Sequence, residues 1–216
     1  MDIRVFDVAC MDNQNMSMHS IMHRREFLKK VAFCLTAASV PVLFHHPAMA
    51  ADREGGKVLI IYFSHSGNTR RLAGLIHEHV GGDMVELKTV KPYPEDYDAV
   101  VDMARQEQRS NARPEITINL PDLAAYDTIF IGYPNWWGTL PMPFFTLLER
   151  CDLSGRTVIP FCTHEGSRFG RSEDDLAKLC PRSRILDGFE VRGSRVSGAE
   201  GAVSEWLNGL DLKTAG

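Results

Sequence analysis

Ser64-His65-Ser66-Gly67-Asn68-Thr69 follows the apolar run Lys57 to Phe63 and precedes a helical pattern, Arg70-Arg71-Leu72-Ala73-Gly74-Leu75-Ile76. A strand, a hydroxyl-rich turn and a helix start make an anion site. The first N–H groups of a helix lack intrahelical acceptors and point at whatever lies in front of them. Three hydroxyls and an Asn amide add neutral donors. The loop has no Lys and lacks the Gly-x-x-x-x-Gly-Lys-Ser/Thr spacing of a P-loop. It fits a monoester phosphate held by neutral hydrogen bonds, which describes FMN better than ATP. The plain alternative is a turn with an N-cap.

Two more turns follow buried strands. Thr128 to Gly132 leads into Tyr133-Pro134-Asn135-Trp136-Trp137-Gly138-Thr139. Paired Trp in a loop is unusual, because loops run over the surface, and a flat aromatic ligand would account for it. Thr157 to Cys162 leads into Thr163-His164-Glu165-Gly166-Ser167-Arg168-Phe169-Gly170. In an open parallel sheet, ligands bind beyond the carboxyl ends of the strands at a switch in strand order. Three polar loops after three strands therefore converge on one crevice.

Here the chain resembles the flavodoxin family, in a short-chain branch with a Trp-Trp flavin loop. The resemblance rests on Ser64 to Thr69, Gly132 to Gly138, Pro160 to His164, Gly166 to Ser172, and Tyr93-Pro94-Glu95-Asp96-Tyr97. It runs from Lys57 to the C-terminus. Ser66 stands where the family usually has Thr, which keeps a hydroxyl. The resemblance implies FMN as cofactor and a doubly wound α/β fold, a five-stranded parallel sheet in the order 2-1-3-4-5. The phosphate would rest on Ser64, His65, Ser66, Gly67, Asn68 and Thr69. The isoalloxazine would lie between Pro134, Asn135, Trp136, Trp137 and Gly138 on one side and Thr163, His164, Glu165, Gly166, Phe169 and Gly170 on the other. Trp137 is assigned to the ring, with Trp136 as the other choice. The flavin carries the chemistry, so no catalytic residue is assigned.

The elements that must position these loops alternate β and α. Strands are expected at Val58 to Phe63, Met84 to Leu87, Thr128 to Gly132, Thr157 to Phe161 and Arg184 to Val191. Helices are expected at Thr69 to Val80, Tyr97 to Glu107, Pro141 to Arg150, Ser172 to Leu179 and Ser197 to Leu210. The stretch Lys91 to Pro121 is long for a crossover, and Pro92, Pro94 and Pro114 make part of it irregular. Val203, Trp206, Leu207 and Leu210 fall on one helix face, which makes Trp206 a core residue.

Residues 1–50 read as a separate segment, 51–56 as a flexible lead-in and 57–216 as the FMN-binding domain. Arg24-Arg25-Glu26-Phe27-Leu28-Lys29-Lys30, the apolar run Val31 to Phe44 and Ala48-Met49-Ala50 resemble a Tat-type signal with its cleavage site. A membrane anchor is the alternative, but the run is shorter than the roughly 18 residues of a span. Tat export carries folded proteins, which suits a periplasmic flavoprotein that must load FMN in the cytoplasm. No stable membrane insertion is expected after cleavage.

A net charge of −4 argues against a nucleic-acid partner. The electron partner is a redox protein or a small-molecule acceptor. Electron carrier and FMN-dependent quinone reductase of the NAD(P)H:quinone oxidoreductase kind both fit, though export would separate a reductase from NAD(P)H. His164 either tunes the flavin by charge or is an ordinary loop histidine. Arg168 either favours the reduced anionic flavin or is a solvated cation. Cys151, Cys162 and Cys180 follow the lead-in, with no metal-binding spacing, so no metal is expected. Cys162 reads as a buried small hydrophobe. Cys151 and Cys180 lie at the sheet end away from the flavin, where they either pair or Cys180 packs beneath its helix.

Overall fold

The computed structural model describes residues 56–210. Residues 1–50, on which the expected Tat-type signal falls, residues 51–55 of the lead-in and residues 211–216 of the domain lie outside the described residues. The main sheet is built from β1 (Val58–Tyr62), β2 (Asp83–Glu86), β5 (Thr128–Pro134), β6 (Thr157–His164), β7 (Arg184–Ile185) and β8 (Phe189–Arg192). All pairings within it are parallel, in the order β2-β1-β5-β6, with β7 and β8 both on the far side of β6. This is the expected flavodoxin-like order, counting β7 and β8 as one interrupted fifth strand.

That interruption corrects the single strand expected at Arg184 to Val191. Val158 pairs with Ile185 and Phe161 with Phe189, so β6 spends two residues where its neighbour spends three. The Val158 carbonyl accepts the Leu186 N–H, so Val158, and with it Pro160, turns its backbone groups toward this neighbour. Pro160 has no N–H to give, and the pairing bulges around it. Gly188 fills the gap: a Cβ there would lie 2.7 Å from the Pro160 carbonyl oxygen.

The helices are α1 (Asn68–Val80), α2 (Tyr97–Arg109), α3 (Met142–Leu148), α4 (Ser172–Leu179) and α5 (Glu200–Gly209). Alternating side chains send Ile60, Tyr62, Phe130, Ile159 and Phe161 to the face covered by α1 and α5. Leu59, Ile61, Ile129, Ile131, Tyr133 and Val158 meet Phe144, Leu147 and Leu176 on the other face. Central strands buried on both faces read as continuous apolar runs, as β5 and β6 do. Trp206 packs against the α1–α5 core and its indole N–H donates to the Asp187 carbonyl.

The segment read as partly irregular, Lys91 to Pro121, holds α2 and a short strand, β4 (Ile116–Thr117), which pairs antiparallel with β3 (Lys88–Thr89) just before the segment. Asp96 caps α2 by accepting the Ala99 N–H. Cys180 is buried, and burial and nearby Cys151 push its thiol up to about 11. Among the described residues no helix is long and apolar enough to cross a membrane.

Candidate functional site

The first loop turns on Gly67, whose φ of 90° is left-handed and suits glycine. The Ser64 hydroxyl accepts the Arg70 N–H, and the Gly67 carbonyl accepts the Arg71 N–H. Ser64 thus satisfies a helix-start donor and is committed to the turn. Thr69 turns inward: it is 2 % exposed, and its hydroxyl shares a 2.8 Å hydrogen bond with that of Thr163. His65, Ser66 and Asn68 remain to face the cavity. His65 is exposed and bonds through Nε2 to the Pro94 carbonyl.

The two Trp have separate roles. Trp136 is half-buried and meets Phe63 at 5.4 Å and Tyr93 at 4.9 Å, both edge-to-face. Trp137 is 42 % exposed. Trp136 and Thr139 exchange both backbone hydrogen bonds around Trp137-Gly138. Trp137 (φ 52°) and Gly138 (φ 83°) both have positive φ, the mark of a type I′ turn. A bulky residue in that region costs about 1–2 kcal/mol, and such strain gathers at functional sites. The turn rotates one indole into the aromatic cluster and the next one outward.

The third loop begins later than its sequence pattern indicated. Pairing of β5 with β6 runs on to Pro134 and Thr163, and β6 ends at His164. Pro134 and His164 are therefore strand ends, better fixed than loop residues. The His164 side chain is 4 % exposed. Its Nδ1 accepts the Gly166 N–H at 2.9 Å, so the proton sits on Nε2, which donates to Glu190. His164 is thus neither a loop histidine nor solvated; it anchors Gly166, whose φ of 145° excludes side chains. Arg168 is 79 % exposed along its side chain and lies 3.5 Å from Glu190, the solvated alternative. Cys162 is wholly buried and its thiol is pushed well up by burial, which makes it a packing group without thiolate chemistry.

The second and third loops are stitched together. The Asn135 amide donates to the Arg168 carbonyl at 2.6 Å, while its Oδ1 accepts the Gly138 N–H. The Asn135 N–H reaches the Thr163 carbonyl, and the Arg171 N–H reaches the Gly138 carbonyl. Gly170 lies against Gly138 so closely that a Cβ would stand 2.5 Å from the Gly138 oxygen. Phe169 packs into the core.

These elements enclose a cavity of about 580 Å³, a usual size for a small-molecule site. His65, Ser66 and Asn68 line one part; Pro134 to Gly138 and Thr163 to Gly166 line another. Of the expected site residues, Ser64, Gly67, Thr69, Phe169 and Gly170 do not line it. Their places are in the turn, the core and the seam between loops. The donor set fits FMN: hydroxyl and amide groups beside a helix start for a phosphate, and an exposed indole with glycine-bearing backbone for a flat ring. Sequence reasoning missed one wall altogether. Tyr97, Val100, Val101 and Ala104 of α2 line the cavity, as does Gly193 after β8. The signal was present in the i, i+3, i+4, i+7 spacing of these α2 residues, a spacing that any packed helix face also shows.

Comparison with known proteins agrees with this geometry. A family model described as Flavodoxin matches residues 57–210. A protein described as a flavoprotein from Bacteroides eggerthii is 32 % identical, with a TM-score of 0.64 over 73 % of this chain and 99 % of that one. A flavoprotein solved in complex with FMN, from Lactobacillus acidophilus, is 26 % identical, with a TM-score of 0.56 over 66 % of this chain and 97 % of its own. Flavodoxin 1 of Escherichia coli is 26 % identical over 144 residues, and the match spans 64 % of that protein's length.

Proposed function

This chain belongs to the flavodoxin family, and on that premise we propose that it binds FMN and transfers electrons, exported already folded with its flavin. The observation that carries the reading is one cavity lined by all three strand-end loops, with hydroxyl and amide donors in one part and the exposed Trp137 in another. The FMN complex of the Lactobacillus relative supports the same cofactor here. Ser66, Asn68 and the start of α1 would hold the phosphate; Trp137 and the Thr163–Gly166 segment would flank the ring. When bound, FMN supplies the redox chemistry. The chain's part is to fix the ring between two loops that are bonded to each other. It also holds the Gly166 backbone in place, since the His164 Nδ1 accepts the Gly166 N–H.

Purified protein is expected to be yellow, and acid-released cofactor to run as FMN and not FAD on chromatography. A colourless protein that takes up no added FMN would end this reading. Stepwise reduction followed by absorbance then counts the electrons accepted.

A second reading, an FMN-dependent reductase of a quinone or similar small acceptor, is favoured by the apolar α2 wall beside Trp137. NAD(P)H oxidation dependent on added quinone would select it. Export rests on Arg24-Arg25 and the apolar run after them. Replacing both arginines by Lys is expected to trap the precursor in the cytoplasm with flavin bound. Normal export of that double variant would remove the Tat assignment, and with it the argument that NAD(P)H is out of reach.

A further inference from the structure

Helix α2 touches the Trp137 turn in three places along one stripe, at Val101, Arg105 and Gln108. The Trp137 indole N–H donates to the Val101 carbonyl at 2.9 Å. The Arg105 guanidinium carbon lies 4.7 Å from the indole centroid, within cation–π range. The Gln108 amide donates to the Trp137 carbonyl at 3.2 Å. These positions are spaced i, i+4, i+7, so one helix face supplies all three contacts. What they hold is the residue whose backbone sits at φ 52°, a conformation that a Trp adopts only under outside constraint.

We infer that Arg105 and Gln108 are positioning residues that clamp the Trp137 indole onto α2 before the flavin arrives. The inference rests on the FMN reading only for its consequence; the contacts of the clamp are made by residues of this chain alone. Left alone, an indole 42 % exposed on a turn would sample several rotamers. Each rotamer other than the bound one would lower the affinity for a flat ring, since only the competent fraction binds. The clamp removes that loss by fixing the indole plane from both its N–H edge and one face. Asp96 fixes the start of α2 by capping, and Tyr93 ties the helix to the segment before it by donating to Glu107. The connection that reads as too long for a crossover thereby has a task at the site.

The test uses the full chain stripped of flavin and follows hydrogen exchange at indole N–H groups by NMR. Trp206 is the internal control, because its indole N–H donates to the Asp187 carbonyl, a partner on another part of the fold. In Arg105→Ala, exchange at the Trp137 indole is expected to speed up about two- to five-fold, the range for losing an exposed cation–π contact. Trp206 should not change. Arg105→Lys should restore most of the protection, because it keeps a cation over the ring. The FMN dissociation constant should rise by a similar factor in Arg105→Ala, and further when Gln108→Ala is added. Unchanged exchange at Trp137 in both variants would overturn the clamp. So would equal acceleration at Trp206, which would mean general loosening. If wild-type protein binds no FMN, the functional reading fails, while the exchange result still decides the clamp.

Discussion

Gly170→Ala should loosen the protein and abolish tight flavin binding together. The new Cβ would lie 2.5 Å from the Gly138 oxygen and 2.9 Å from its Cα, both backbone atoms that no rotamer change can move aside. Gly170 also has φ 59°, which an alanine adopts at a cost. Overpacking and the unfavourable backbone together should cost on the order of 3 kcal/mol. The strain falls on the seam where the Arg171 N–H meets the Gly138 carbonyl, so the Trp137 turn should be pushed away from the third loop. Urea unfolding of the apoprotein measures the first effect and FMN titration the second. Wild-type values for both would show that the two loops need not touch.

Alanine at the two Trp should separate folding from binding. Trp136 fills a cluster with Phe63 and Tyr93, so Trp136→Ala should destabilise the apoprotein by about 3 kcal/mol, the low end for a buried large aromatic. Trp137 is exposed and held in a turn, and alanine keeps the Cβ that opposes φ 52°, so Trp137→Ala should leave the backbone strain in place and barely alter unfolding. Its cost should appear in the FMN dissociation constant. Stacking is worth about 0.5–1.5 kcal/mol beyond buried area, so binding should weaken several-fold or more. Trp206→Ala should act on stability alone, since Trp206 lies in the opposite core. If Trp137→Ala unfolds more easily and binds FMN as well as wild type, the assignment of Trp137 to the ring is wrong, and Trp136 is the residue to test next.

Much of the site was legible in the chain because its signals are local. Ser64 to Thr69 declares a strand-to-helix turn through the order of apolar, hydroxyl and Gly residues. The same kind of order announces the loops after β5 and β6. The expected site residues that lie off the cavity lining do so for one shared reason. Thr69 carries the right hydroxyl, yet it bonds Thr163, which lies 94 positions away. Phe169 and Gly170 sit beside the third loop in sequence but face the core and Gly138 in space. His164 reads as a loop histidine until the strand pairing is known to run past it.

The sequence by itself therefore determined the alternating β-α order and the strand-end placement of three polar loops, which follow from hydrophobic period and turn chemistry within a few neighbouring residues, and its motifs carried the resemblance that implied the family and the fold. Tertiary structure alone decided the rest. It broke the fifth strand, because Pro160 withholds an N–H from residues some 25 positions later. It sent Trp136 inward and Trp137 outward, because positive φ at Trp137 and Gly138 closes a turn between Trp136 and Thr139. It brought α2 against that turn, which joins Arg105 to Trp137 across a whole strand. Contacts of that range depend on how elements pack, and packing is a property of the folded sheet and its layers, not of any local pattern.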